Sequence, residues 1–435
     1  MTAPCDRTWG SVPESGFSGI QYIQIRQQER SIFMGNKGLM SFLMIVALLV
    51  LLCVPAHAAT DDEGEVLKRI DTLQKQVDEQ QKTIDKLSAE KGYLSLSKHI
   101  DNLSISGDLR VRYELRDRDL AGGGDEIMER MRLRLRAGLL WKSSAENWEL
   151  GAGLITGPEK GTVPFDTWGE DHYFETGELR LDYAYARHTL GSLKLTAGQQ
   201  INPFLTSWLL WSANLRPTGF TAQYAAHGYF ATIGAYDVKQ YVLDNGNTDL
   251  GMLYAVQLGT DMKADDVKIT IAGSFYGFDG VFERNERPNP DYSYMIGDLY
   301  TSAGMPLGKA KLSVYAQAFY NFGAEGDEGQ GVLGGTLDPE EENLGWVIGF
   351  TTKLNALSFQ YSYAQVGADS CVIGLKDETF GSGLSHTDLK GHKICISYSL
   401  TKHFSVAGNV FLYESLERSN QHEVAFYQTD LCYKF

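Results

Sequence analysis

Cysteine, proline and positive charge are all scarce in this chain. Five cysteines in 435 residues, at unrelated spacings, make neither a disulfide framework nor a metal-ligand motif. Eleven prolines stand against 46 glycines, 23 tyrosines and 20 phenylalanines, a mixture that suits a turn-rich β protein. The 39 lysines and arginines are outnumbered by 55 acidic residues, and a net charge of -16 argues against a nucleic-acid partner. Mean hydropathy is slightly negative, which argues against a polytopic helical membrane protein. It does not bear on a membrane barrel, whose alternating strands average out. Catalytic signatures are missing too. There is no G-x-S-x-G, no H-E-x-x-H and no C-x-x-C-H. "GAGLITG" (151–157) has the wrong glycine spacing for a dinucleotide loop. Asp171–His172 and His386–Asp388 are the candidate acid–base pairs. The expectation is a protein that is not an enzyme and needs no cofactor or metal.

One long apolar run is present. "LMSFLMIVALLVLLCV" (Leu39–Val54) follows Met34 and Lys37 and precedes Ala56 and Ala58, an A-x-A exit. Basic start, apolar middle and small-residue exit describe a secretory signal cut after Ala58. The alternative, a retained anchor helix, suits the run less well, because it is short for a span. Residues 1–33 fit no part of a signal, so Met34 is an alternative start. Export would leave Cys371, Cys395 and Cys432, with Cys371 in a connection.

Residues 59–92 carry a second pattern. Ile70, Val77 and Ile84 fall at heptad position a, Leu73 and Leu87 at d, with Gln80 the one polar d residue. About three heptads, roughly 33 Å, make a short α-helical coiled coil. So short a coil forms only if something else holds the chains together. A single amphipathic helix is the competing description. A linker, 93–102, follows, and from 103 the period becomes two. Leu109, Val111, Tyr113 and Leu115 oppose Arg110, Arg112, Glu114 and Arg116. Met131, Leu133 and Leu135 oppose Arg130, Arg132, Arg134 and Arg136.

About 16 such segments recur to the end of the chain. Their connections alternate in length. "KSSAEN", "TLGS", "AAHG", "NA" and "TKH" are short; 157–177, 277–291, 322–343 and 366–389 are long and polar. Short turns on one side and long loops on the other are the habit of outer-membrane barrels. The final stretch, "YQTDLCYKF", fits as the strand that closes the ring, leaving no open edge. Tyr427, Leu431, Tyr433 and Phe435 would face lipid, and Gln428, Asp430 and Lys434 the lumen. The fold class expected is all-β: a transmembrane antiparallel β-barrel over 103–435 behind a short coiled coil.

The terminal Phe435 resembles the signal that outer-membrane barrels present to their assembly machinery. The order of signal, short coil, "SGDLRVRYELRDRD" and "ERMRLRLRAGL" resembles the Gram-negative group called putative porins, as do "LTAGQQINPF" and "LRPTGF". The arginine-rich opening strands are also similar to those of phosphate-selective porins. The resemblance implies a passive channel in the outer membrane, with the coil in the periplasm. Homotrimers, contact with outer-membrane lipid and recognition of Tyr433 and Phe435 by the barrel-assembly machinery follow from it as expectations.

The candidate site is the lumen, which 16 strands would leave aqueous. Arg110, Arg112, Arg116, Arg130, Arg132, Arg134 and Arg136 would share one wall and attract small anionic solutes. The other description is a polar wall of Arg–carboxylate pairs, with Asp108, Glu114, Glu129, Asp182 and Glu149 as partners. "INPFLTSWLLWSANLRPTG" (201–219) is too apolar for a solvated loop, so Trp208, Trp211, Asn214 and Arg216 are candidates for a constriction folded into the barrel. Two other functions compete: a structural barrel tethered by its coil to the cell wall or a periplasmic partner, and a sheath for a separate electron-transfer cytochrome.

Overall fold

The computed structural model describes residues 102–120, 123–143, 145–158, 162, 164–169, 173, 176–242, 248–281, 292–418 and 423–435. The expected signal and heptad segment lie outside them. Seventeen strands form one sheet: β1 Leu103–Asp119, β2 Asp125–Lys142, β3 Trp148–Thr156, β4 Asp166–Thr167, β5 Leu179–Leu190, β6 Leu193–Gln199, β7 Thr218–Ala226, β8 Tyr229–Val242 and β9 Thr248–Ala264 come first. β10 Val267–Asp279, β11 Tyr294–Leu307, β12 Ala310–Asn321, β13 Leu344–Leu354, β14 Leu357–Val366, β15 Leu389–Ser399, β16 Phe404–Ser415 and β17 Glu423–Lys434 complete it. β4 is a two-residue ribbon within the connection from β3 to β5; it pairs with β2, while β3 pairs directly with β5. The wall therefore has 16 antiparallel strands, as the alternating segments predict.

Closure is direct. β17 pairs antiparallel with β1, Val111 opposite Leu431 and Arg112 opposite Asp430, so the sheet has no free edge. Gly107 and Phe435 exchange both backbone hydrogen bonds at 3.1 Å. Short turns join alternate strands at one end. At His227–Gly228 both residues have positive φ, 54° and 83°, the combination a tight hairpin needs.

The alternation has a physical reading. Outward positions are apolar and exposed: Phe220 is 72 % accessible and Leu258 64 %. Their inward neighbours Thr221 and Gln257 are buried. A sheet with its greasy face outward and polar groups inside is suited to hydrocarbon, not to water. No helix among the described residues is long and apolar enough to cross a membrane.

Candidate functional site

Two kinds of surface line the barrel interior. Over β8–β13 the inward residues Tyr236, Leu253, Tyr276, Tyr294, Phe319 and Val347 are all buried. The connection 200–217, third on the long-connection end, lies against them. Phe204 meets Tyr236 and Tyr276 edge-on at 6.0 and 5.5 Å, and Trp211 lies 6.1 Å from Tyr276. Burying a loop strands its peptide groups unless the wall satisfies them, and two strand amides do so. Gln257 accepts from Leu205 N and donates to Leu205 O, both at 2.9 Å; Gln317 accepts from Ser207 N at 2.8 Å and donates to Asp298 at 2.6 Å. Trp208 donates to Tyr315 Oη at 3.1 Å, packs edge-on against Phe380 and carries the Lys393 ammonium 4.4 Å over its ring. Ser212 N donates to Leu375 O at 2.7 Å, joining this loop to the connection 367–388. The loop thus lies across the interior, against β8–β13 and β15.

The opposite wall is charged. On β1, β2, β5 and β17, eight arginines face five carboxylates: Arg110, Arg112, Arg116, Arg118, Arg130, Arg132, Arg134 and Arg136 against Asp108, Glu114, Glu126, Asp182 and Asp430. Strand pairing sets Arg110 opposite Arg134 and Arg112 opposite Arg132. Like charges so placed repel, and interleaved acids offset it. Arg112 makes a two-pronged pair with Asp430 at 2.7 and 2.9 Å. Glu114, 1 % accessible, accepts from Arg130 at 2.6 Å and Gln428 at 3.0 Å and has Arg112 and Arg132 within 3.6 Å. Arg134 pairs with Asp108 at 2.6 Å and Arg136 with Asp182 at 2.9 Å. The Phe165 ring, from the connection after β3, has the Arg112, Arg132 and Arg134 guanidiniums 4.4, 5.3 and 5.2 Å from its centroid. The row is both a set of ion pairs and a surplus of positive charge.

Between the charged wall and the infolded loops lies a cavity of about 320 Å³. Arg112, Glu114, Arg116, Arg130 and Arg132 line one side. Thr162 and Phe165, Asn214, and Glu378, Thr379, Ser382 and His386 come from three long connections on the other. Thr162 donates to Glu378 at 2.6 Å, Asn214 to Thr162 O at 3.2 Å, and Arg116 to Ser382 Oγ at 3.0 Å. Lys376, buried behind this rim, has its ammonium bonded to the Asp377 and Phe380 carbonyls; burial pulls its pKa down to about 8.

Of the residues expected from sequence, Arg112, Arg116, Arg130, Arg132 and Asn214 meet at this cavity. Arg110, Arg134 and Arg136 share the wall nearer its short-turn end, around Asp430, Asp108 and Asp182. Trp208 and Trp211 anchor the loop. Arg216 turns back, bonding Ala213 O and Leu215 O, with Asp182 3.4 Å from its Nε. His386 is on the cavity rim, and Asp388 is buried with its Oδ1 accepting from Glu417 N; Asp171 and His172 lie outside the described residues. Sequence reasoning missed Glu378, Phe165 and Lys393. Lys393 had a signal, because it shares the inward parity of Gly391 and Cys395 on β15. The two loop residues had none.

Residues 122–302 match the family model described as "Putative porin". No curated protein matches the sequence. Solved structures of similar fold include Pseudomonas putida OprB at high pH, 11 % identical, with a TM-score of 0.51 over 79 % of this chain and 96 % of that one. Pseudomonas aeruginosa OccK8 (OprE) is 10 % identical, with a TM-score of 0.47 over 76 % and 98 %. Salmonella typhi OmpF in complex with daunomycin is 12 % identical, with a TM-score of 0.46 over 77 % and 97 %. At such identities the likeness is one of fold, carried by the first of the three.

Proposed function

We propose that this protein is a porin-type channel of the Gram-negative outer membrane, passing small hydrophilic solutes by diffusion with a preference for anions. The family match and the barrel fold support the channel. One observation carries the preference: eight wall arginines face five carboxylates, and among the described residues lining the cavity Arg112, Arg116, Arg130 and Arg132 face only Glu114 and Glu378, so the passage keeps an unbalanced positive charge. Lys393 extends that surface on β15.

In this reading the short turns face the periplasm, where the heptad segment 59–92 also stands, and the long connections face outward. Tyr433 and Phe435, both half-exposed on the outer surface of β17 or at its end, present the assembly signal. Homotrimerisation and lipid contact involve the apolar exterior. A cytochrome sheath is disfavoured, because the loop 200–217 occupies the space a carrier would need. A tethering role for the heptad segment would add to the channel and not replace it.

Purified full-length protein in a planar bilayer under a KCl gradient tests the proposal. Stepwise conductance with a reversal potential of anion sign is expected. Replacing Arg132 and Arg134 together with serine is expected to move that potential toward the cation side. Absence of steps would overturn the channel; an unmoved potential would remove the arginines from the selectivity.

A further inference from the structure

The constriction has a chemistry more specific than its net charge. Arg130 gives its Nε–H to Glu114 at 2.6 Å, and among the described residues its two terminal nitrogens make no hydrogen bond. Its side chain is 28 % accessible, against 6 % for Arg132 and 11 % for Arg112. A guanidinium anchored through Nε on a side chain that lines the cavity has the planar geometry that grips a carboxylate. The walls across from it are not cationic. Thr379 brings a hydroxyl, Asn214 an amide that also holds Thr162 O, and Glu378 a carboxylate that already accepts the Thr162 hydroxyl and, with several lone-pair sites, can accept a second donor. A simple anion gains from Arg130 and gains nothing from Glu378. A solute that also carries a hydrogen-bond donor gains from both. The cavity, about 320 Å³, lies at the small end of the range for organic ligands, roughly 300–1,000 Å³.

We propose that this cavity is a saturable binding site for small carboxylates bearing a hydrogen-bond donor, the carboxylate on Arg130 and the donor on Glu378. The proposal rests on the channel reading and narrows its solute class. Such a site slows the passage of what it holds, so a bound solute shows itself as a block of chloride current.

The test uses glycolate and acetate, which differ by one hydroxyl, on single channels of the full-length protein in symmetric KCl. Glycolate is expected to reduce the chloride current saturably, at a concentration about tenfold below that needed for acetate, the ratio one hydrogen bond to a charged group supplies. Glu378→Met, close in length but without an acceptor for the donor, is expected to bring the two concentrations together while leaving block by acetate in place. Arg130→Met is expected to weaken block by both. Equal block by glycolate and acetate in the unmodified protein, or a preference that survives Glu378→Met, would overturn the proposal, as would Arg130→Met leaving both blocks unchanged. Each variant is first checked for an intact barrel by its heat-dependent gel migration. Failure of the channel reading looks different: no chloride current would be present to block.

Discussion

Individual charges in this lumen are held by neighbours, and their environment decides what each does. Glu114 is almost completely buried, yet three guanidiniums and the Gln428 amide surround it. Removing one partner from a set like that costs more than the set contributes, because an uncompensated charge stays behind. Glu342 is the reverse case. It lies in the connection before β13, and burial, then the like charges of Glu417, Asp388 and Asp369, push its carboxyl up to about 7 from an ordinary 4.5. The neutral form is thus favoured in the folded loops. The stabilisation is complete below the ordinary value and is lost as pH rises through about 7. Asp369 N donates to Glu342 O at 2.8 Å and Gly367 N to Leu344 O at 2.9 Å. Hydrogen exchange at these two amides, corrected for the intrinsic pH dependence, is expected to be slower at pH 5.5 than at pH 8. Glu342→Gln is expected to flatten the difference. An equal difference in that variant would assign the effect to another group.

At the scale of elements, the loop 200–217 is held by a few bonds whose removal has a readable consequence. Gln257→Ala with Gln317→Ala strands the Leu205 N–H and C=O and the Ser207 N–H. Each buried group left unpaired costs about 1–3 kcal/mol, enough in sum to free the loop from the wall. Single-channel conductance is expected to rise, with added open-channel noise. Conductance and noise equal to those of the unmodified protein would show that aromatic packing alone holds the loop. The same loop shows what sequence could reveal. Its Trp208, Leu209, Leu210 and Trp211 announce that it is covered, because no solvated loop carries such a run. The partners Gln257 and Gln317 do not announce themselves; each is one polar residue among many at inward parity. The strands were legible where one face is greasy. They became illegible near the rim, where β1 runs on to Asp119 and β2 starts at Asp125. There Asp117 and Asp119 hold outward positions, both faces are polar, and alternation disappears although the ladder continues. The arginine wall was readable because strand geometry alone puts alternate residues on one face. Its far side was not. Thr162 and Glu378 are 216 residues apart in sequence and meet only because two connections fold into the same space.

For the whole molecule, the decisive question is which solvent the outer surface meets, and one residue can answer it. Leu258 lies on β9, between Ala231 on β8 and Gly273 on β10, and is 64 % accessible. If water covered that surface, Leu258→Arg would be a surface substitution, neutral to within about 0.5 kcal/mol. Against hydrocarbon, the same change costs about 2–4 kcal/mol at the bilayer midplane and falls toward zero near the interfaces. The strand has ten residues before Leu258 and six after it within Thr248–Ala264, which places it well inside the span. Urea unfolding of the variant from lipid vesicles is therefore expected to show a loss in the membrane range. Lys268→Arg on β10, an exposed charge kept near a short turn, is expected to cost nothing measurable. A Leu258→Arg variant as stable as the parent would mean that this face is wet. The closed ring of strands would then enclose its charges for a reason other than keeping them from lipid.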